Sequence, residues 1–132
     1  MAEAEHEETA PGAPTLVVSR LACSLTGKTE VINIFPHTIS HRAYSKDEST
    51  EQFRCNFGLN PTFLPYFSKG PLEVTGRDRD GEARILELSG HPFFVATLFL
   101  PQLMSHPGAA HPLVLAYLKA ASAFRNRGGG AA

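Results

Sequence analysis

The chain has 132 residues, of which 42% are hydrophobic and 19% are charged, and its formal net charge is -1 at pH 7. This composition is enough for one domain with its own core, while the near-neutral charge argues against a nucleic acid or a membrane surface as partner. The two cysteines predict reduced thiols rather than a disulfide framework, and the acidic start is unlike a signal peptide. No apolar run approaches the roughly 20 residues that cross a bilayer, so we expect a soluble, cytoplasmic protein.

The N-terminal part of the chain changes character at residue 15. Residues 1–14 (MAEAEHEETAPGAP) are acidic and lack hydrophobic periodicity, which predicts a flexible tail, and the folded domain is expected over residues 15–127. Runs rich in β-branched residues at 16–18 and 31–35 predict two short strands. A Thr-Gly-Lys turn separates the two runs, so we expect a hairpin or two neighbouring strands.

The next part of the chain combines a polar loop with short elements. Residues 37–50 predict a loop with a short helical turn, followed by a strand at 52–57. Asn60 and Pro61 then begin a short helix, since proline is favoured in the first turn.

Three further strands are predicted at 72–75, 83–88 and 93–99. The Asp-Gly pair at residues 80–81 is a strong hairpin signal, so a tight turn should join the first two of these strands. The third strand is nearly all apolar, which predicts a central strand buried on both faces.

A C-terminal helix is expected to begin at the His-Pro pair of residues 111–112. One apolar face is predicted from residues that recur at helical spacing: Leu113, Tyr117, Ala120 and Phe124. Residues 128–132 should fray. The chain has no glycine-rich phosphate loop, and we predict no cofactor.

The stretch HPFFVATLFLPQLMSHPGAAHPLVLAYLKAA at residues 91–121 resembles the end of the glutamine amidotransferase domain of CTP synthases. In that family a strand delivers a His-Pro-Glu triplet, and a His-Pro-Leu start leads into the final helix. Residues 76–101 (GRDRDGEARILELSGHPFFVATLFLP) extend the resemblance, and short, free-standing relatives of the domain are the most similar. The resemblance implies an α/β fold: the C-terminal half of a class I glutamine amidotransferase-like domain, with a strand-rich mixed sheet and a C-terminal helix.

The same resemblance implies that the catalytic residues are lost. Leu100 and Gln102 stand where the family carries the His and Glu that activate a cysteine nucleophile, and leucine cannot accept a proton. Asn56 takes the place of the arginine that holds the glutamine carboxylate. Neither Cys23 nor Cys55 lies in a G-x-C-x-G elbow, so we expect the chain to correspond to the part of the domain beyond the nucleophile helix.

The segment EQFRCNFGLNP at residues 51–61 matches the part of the family that faces the glutamine pocket. We therefore consider Cys55 and Glu51 as candidate catalytic residues. Arg54, Asn56 and Gln102 are candidates for binding a small-molecule ligand. A neighbouring guanidinium can activate a thiol, but adjacent strand residues point to opposite faces, which favours a buried, inert Cys55.

The six histidines do not predict a metal site. His37 and His41 are four residues apart, but they lie in a loop beside a proline rather than on a helix. His91 and His111 each precede a proline at the start of an element, which indicates roles in turns and caps.

Two classes of function remain open from the sequence. In the first, the protein is a pseudoenzyme without glutaminase activity that binds a partner subunit or a biosynthetic enzyme. The partner would be a separately encoded half-domain or further copies of the chain, because half a doubly wound sheet leaves an apolar edge or face uncovered. In the second, the former glutamine pocket serves another reaction on a small metabolite. Similarity of fold does not decide between them.

Overall fold

The structure, a computed structural model, describes residues 3–128. Within this range the chain forms eight strands, three α-helices and two 3-10 turns. The strands are β1 Glu5–His6, β2 Leu16–Arg20, β3 Thr29–Ile34, β4 Glu48–Gln52, β5 Phe57–Leu59, β6 Leu72–Arg77, β7 Ala83–Leu88 and β8 Val95–Thr97. The helices are α1 Ile39–Tyr44, α2 Leu64–Phe67 and α3 Pro112–Gly128, and the 3-10 turns are Pro61–Phe63 and Pro101–Met104.

The larger sheet has five strands in the order β4-β3-β6-β7-β8, and all its neighbours are antiparallel. Its buried side chains form the core together with residues from the loops and helices: Leu25, Ile32, Ile34, Tyr44, Phe53, Ile85, Phe99 and Leu113. Strands, short helices and the C-terminal helix give the mixed α/β architecture that the sequence predicts.

The hairpin between β6 and β7 forms as predicted. Gly81 has φ +82°, a conformation that glycine adopts without steric cost. The carboxylate of Asp78 accepts the backbone N–H groups of Asp80 and Glu82 at 3.0 and 2.9 Å, and it pairs with buried Arg84 at 2.7 Å. The turn is therefore held by its own side chains as well as by the strand ladder.

The smaller sheet contains a strand that the sequence analysis did not predict. β2 is antiparallel to β5, and β1, at Glu5–His6, lies parallel to β2 at the edge. The N–H of Glu5 donates to the carbonyl of Thr15 at 2.9 Å, within the segment that we expected to be a tail. The β1 strand is too short for a periodic pattern, so only its tertiary partner reveals it.

The expected pairing of β2 with β3 is wrong, because the two strands belong to different sheets. The expected strand at 52–57 is also wrong: β4 ends at Gln52 and β5 begins at Phe57. Between them, Phe53, Cys55 and Asn56 form backbone hydrogen bonds with the loop at residues 21–28. The chain crosses from one sheet to the other here, and residues 53–56 pair with a loop, with Phe53 buried, rather than forming a continuous strand.

The expected central strand at 93–99 is wrong in position and extent. β8 has three residues and forms the edge of the larger sheet, with Ala96 and Phe94 exposed. Phe99 is the fully buried member of the run. An apolar run indicates burial somewhere, but it does not say which neighbour provides it.

α3 begins where the sequence predicts, but its apolar face is buried only at the first turn. Leu113 is 5% exposed, whereas Tyr117 and Phe124, on the same stripe, are 55% and 66% exposed. The helix includes Gly128, and the rest of the segment expected to fray, residues 129–132, lies outside the described residues. Between residues 3 and 128, no helix has the length and hydrophobicity needed to span a membrane.

Candidate functional site

The structure brings together the two segments from which the candidate site residues come. The N–H of Leu100 donates to the carbonyl of Gln52 at 3.1 Å, and the thiol of Cys55 donates to the carbonyl of Leu98 at 3.2 Å. Residues 52–55 therefore run alongside residues 98–100.

The three candidate ligand-binding residues remain at the surface. Arg54, Asn56 and Gln102 are exposed, and Gln102 lies in the 3-10 turn Pro101–Met104. The Asn56 carboxamide oxygen already accepts hydrogen bonds from the hydroxyls of Ser24 and Thr26 at 2.5 and 3.3 Å. A ligand would have to compete with these neighbours for Asn56, while Arg54 and Gln102 stay open to solvent.

Cys55 is half-buried, and its thiol is used in the hydrogen bond to Leu98. A thiol that donates to a carbonyl is protonated, whereas the nucleophilic form is the thiolate. The contact agrees with a packing role for Cys55. Leu100, two residues beyond this carbonyl and half-buried, carries no group that could take the thiol proton.

Glu51 lies instead in a buried polar cluster with Tyr44, Ser49 and His111. Its Oε1 accepts hydrogen bonds from the hydroxyls of Tyr44 and Ser49 at 2.5 and 2.9 Å. Nε2 of His111 lies 3.1 Å from Oε1 and 3.2 Å from Oε2. Glu51 and His111 are only 1% and 2% exposed, so the carboxylate is enclosed by its partners.

The hydrogen bonds of His111 determine which of its nitrogens carries the proton. Nδ1 accepts the backbone N–H of Leu113 at 3.2 Å, which caps the start of α3 and leaves no proton on Nδ1. Nε2 then carries the proton that it donates to Glu51. The predicted cap role of His111 is confirmed, and its second contact joins α3 to β4.

The cluster also determines the charge of Glu51. Burial raises the pKa of the Glu51 carboxyl, but the hydrogen bonds from His111, Tyr44 and Ser49 lower it by more, and the net pKa lies below its usual range. Burial and the nearby carboxylate raise the pKa of Tyr44, so the phenol keeps its proton and donates it. The result is one buried carboxylate with three donors that ties α1, β4 and α3 together.

The sequence analysis considered Glu51 and His111 separately and missed the contact between them. In β4 the buried residues alternate as Ser49 and Glu51, which is the one local sign that Glu51 faces inward. Its partner is 60 residues away in sequence. Because it is enclosed, Glu51 has no contact with solvent through which a substrate could reach it. The assignment of Glu51 as a catalytic residue is not tested by the structure and stays a prediction.

The two histidines that are four residues apart do not share the loop expected from the sequence, because His37 precedes α1 and His41 lies within it. Nε2 of His41 lies 2.8 Å from Oδ1 of Asp47, and His37 adopts a positive φ of 65° just before α1. Among residues 3–128, no group of three or more His, Cys, Asp or Glu side chains is placed to hold a metal.

Two grooves lie along α3. The first groove, of about 280 Å³, is lined by His91, Pro92, Phe93, Tyr117, Ala120, Ala121 and Phe124. The second groove, of about 430 Å³, is lined by Ile39, Arg42, Ala43, Pro92, Phe93, Pro112, Leu115, Ala116 and Lys119. We call the apolar surface that borders them the α3 face; it comprises the exposed side chains of Leu115, Tyr117 and Phe124 and the half-buried Phe93. Sequence periodicity predicted the stripe but not its exposure.

The chain is similar to curated CTP synthases over most of its length. It is 39% identical to that of Pyrobaculum aerophilum over 98 residues, covering 74% of this chain and 18% of that protein. The CTP synthase of Methanothrix thermoacetophila is 38% identical over 90 residues, which is 68% of this chain and 16% of that protein. That of Synechococcus sp. is 33% identical over 129 residues, covering 90% of this chain and 24% of that protein.

The fold matches a solved structure, the glutaminase domain of Trypanosoma brucei CTPS with bound acivicin. The TM-score is 0.84 at 20% sequence identity, and the match covers 92% of this chain and 51% of that one. No family model matches the chain. The chain thus spans less than a quarter of the length of these CTP synthases and about half of the solved domain. The shared sequence and fold together identify it as a glutamine amidotransferase-like domain of the CTP synthase type.

Proposed function

We propose that this protein is a degenerate glutamine amidotransferase-like domain that does not hydrolyse glutamine and that acts by binding a partner subunit or a biosynthetic enzyme. The observation that carries the proposal is the exposed α3 face. Tyr117 and Phe124 continue the stripe that Leu113 begins in the core, yet more than half of each side chain is exposed. Contiguous apolar surface of this kind marks an interaction site more often than it marks free surface.

The shared fold supports a particular kind of partner. The match to the solved glutaminase domain leaves about half of that domain without a counterpart in residues 3–128. The proposed partner is an element equivalent to part of the unmatched half, supplied by another chain, that covers the α3 face. Burying Tyr117 and Phe124 would stabilise the complex by roughly 1.5–3 kcal/mol for each such side chain before the cost of association.

The loss of hydrolysis rests on the residues at the former catalytic positions. Leu100 and Gln102 offer neither a general base nor a carboxylate that could orient one. The thiol of Cys55 donates to a carbonyl, and Glu51 is enclosed by three donors. These contacts also weaken the case for a repurposed enzyme built on the same residues.

Glutamine hydrolysis is tested by measuring ammonia release from glutamine by the purified chain. We expect no release above that of Cys55→Ala, because the thiol donates to the carbonyl of Leu98 and Leu100 replaces the histidine that would take its proton. Release that is proportional to protein and is lost in Cys55→Ala would overturn this part of the proposal.

Partner binding is tested on the same chain by native mass spectrometry and by a fluorescent dye that binds apolar surface. We expect dye binding that falls in Phe124→Ser and persists in Ser122→Ala, an exposed polar position on the same helix. A monomer that binds no dye, with both variants identical to it, would contradict a binding role for α3.

A further inference from the structure

We infer that the α3 face binds a different protein through an amphipathic helix that carries acidic residues beside its apolar stripe. The inference rests on the proposed function and adds the chemistry of the partner. It follows from the shape of the two grooves and from the distribution of charge around them.

The shape of the α3 face favours side chains of a folded element. Phe93 lines both grooves, and its ring lies 5.7 Å from that of Tyr117. Pro92 and Phe93 thus lie in the lining of both hollows, of about 280 and 430 Å³, and Tyr117 lines the first of them. Apolar side chains spaced one helical turn apart can enter such hollows, as in other complexes in which a helix lies in a groove. A lipid surface has no comparable side chains to fill them.

The charged side chains that line the grooves are all cationic, and the nearest carboxylates, Glu73 and Glu87, lie in an adjoining pocket. Arg42 and Lys119 line the second groove, and Arg125 and Arg127 follow Phe124 on α3. Neither groove is lined by an Asp or Glu, and the sequence of α3 contains none. Within the described range, none of these four cations takes part in an ion pair. The whole chain has a net charge of -1, so this positive charge is a local property of the surface.

Unpaired cations around an apolar surface select partners by charge. Acidic residues beside the apolar stripe of the partner would pair with them, increase the association rate and exclude basic competitors. A second copy of the chain is a poor partner for the same reason. A contact between two copies of α3 would bring together two helices that carry Lys119, Arg125 and Arg127 and no carboxylate, which is repulsive.

The inference can be tested with two synthetic helical peptides of about 18 residues, long enough for measurable helicity. Both carry leucines at i, i+3, i+4 and i+7, and they differ only in having Glu or Lys beside that stripe. Fluorescence anisotropy should show that the chain binds the Glu peptide at least about tenfold more tightly, with a preference that shrinks in high salt. Phosphatidylserine vesicles serve as the lipid probe, and we expect weaker binding to them than to the Glu peptide.

Two variants separate charge from apolar contact. The double variant Lys119→Glu/Arg125→Glu should reverse the preference between the peptides, whereas Lys28→Glu, an exposed lysine that lines neither groove, should leave it unchanged. Phe124→Ser should weaken the binding of both peptides, because it removes apolar contact rather than charge.

The outcomes that count against the inference differ from those that count against the proposed function. Equal affinity for the two peptides, no binding of either by a chain that still binds the dye, or tighter binding to the vesicles would overturn the inference alone. A dimer that Phe124→Ser dissociates would overturn it in favour of a second copy, while partner binding through α3 stands. If the chain binds neither peptide, binds no dye and stays monomeric, the inference and the proposed function are both overturned.

Discussion

The two ends of α3 have the same apolar stripe and opposite environments. At the first end, His111 and Leu113 are buried, and His111 contacts both the helix backbone and Glu51. Beyond that turn, Tyr117 and Phe124 face solvent, with Phe93 as the aromatic neighbour of Tyr117. The comparison shows that one helix can be anchored by a few enclosed contacts while it leaves most of its stripe free for another surface.

The anchored end depends on contacts that satisfy one another. Glu51 has three donors, His111 uses both ring nitrogens, and Tyr44 keeps its proton. Removing one member leaves the others buried without partners, which costs more than the loss of one hydrogen bond. The free end has no such dependence within residues 3–128.

The largest expected effect is on the anchored end. Glu51→Ala should lower the free energy of unfolding by about 3–5 kcal/mol, because Tyr44, Ser49 and His111 lose their common acceptor. Urea unfolding measures the change. The matched control is Glu48→Ala on the exposed side of the same strand, which should stay within about 0.5 kcal/mol of the parent chain. Similar losses of unfolding free energy in the two variants would show that the buried cluster does not stabilise the fold more than an exposed residue of β4 does.

The next effect compares two positions on the stripe itself. Leu113→Ala should cost about 2–5 kcal/mol, as expected for a buried leucine, whereas Phe124→Ala should change the stability of the isolated chain by less than about 0.5 kcal/mol. Thermal and urea unfolding of both variants provide the measurement. A large loss in Phe124→Ala would mean that the isolated chain buries the far end of α3, contrary to the comparison.

The smallest expected effect is the pH dependence of the anchored end. The pKa of Glu51 is lower in the folded chain than its reference value of 4.5, so the unfolded chain takes up the proton first as the pH falls. The stability that this carboxylate provides is complete above about pH 4.5 and is lost as the pH falls through the lower, folded pKa. Urea unfolding between about pH 6 and pH 3 should therefore show a shallower acid loss in Glu51→Gln than in the parent chain. If the unfolding free energy depends on pH equally in the two chains, Glu51 is not the cause of the acid loss of stability.

Local patterns predicted correctly those elements whose sequence signals lie within a few residues of one another. β7 at Ala83–Leu88, the turn that precedes it and the start of α3 all depend on adjacent residues. The strand predicted at 93–99 was wrong because an apolar run indicates burial without identifying the neighbour that causes it. The strand predicted at 52–57 was wrong because residues 53–56 pair with the loop at 21–28. Among the candidate site residues, the cap role of His111 was predictable from its place before Pro112, while its contact with Glu51 was not.

By itself, the sequence determined the Asp-Gly hairpin, the helix start and the apolar stripe of α3, since each depends on backbone preferences and spacing within one segment. Tertiary structure alone decided that Glu51 meets His111 across 60 residues and that the stripe is covered only at Leu113. A side chain is buried by whatever surface the rest of the chain brings to it. The residues of α3 therefore specify an apolar face, but they do not specify what covers it.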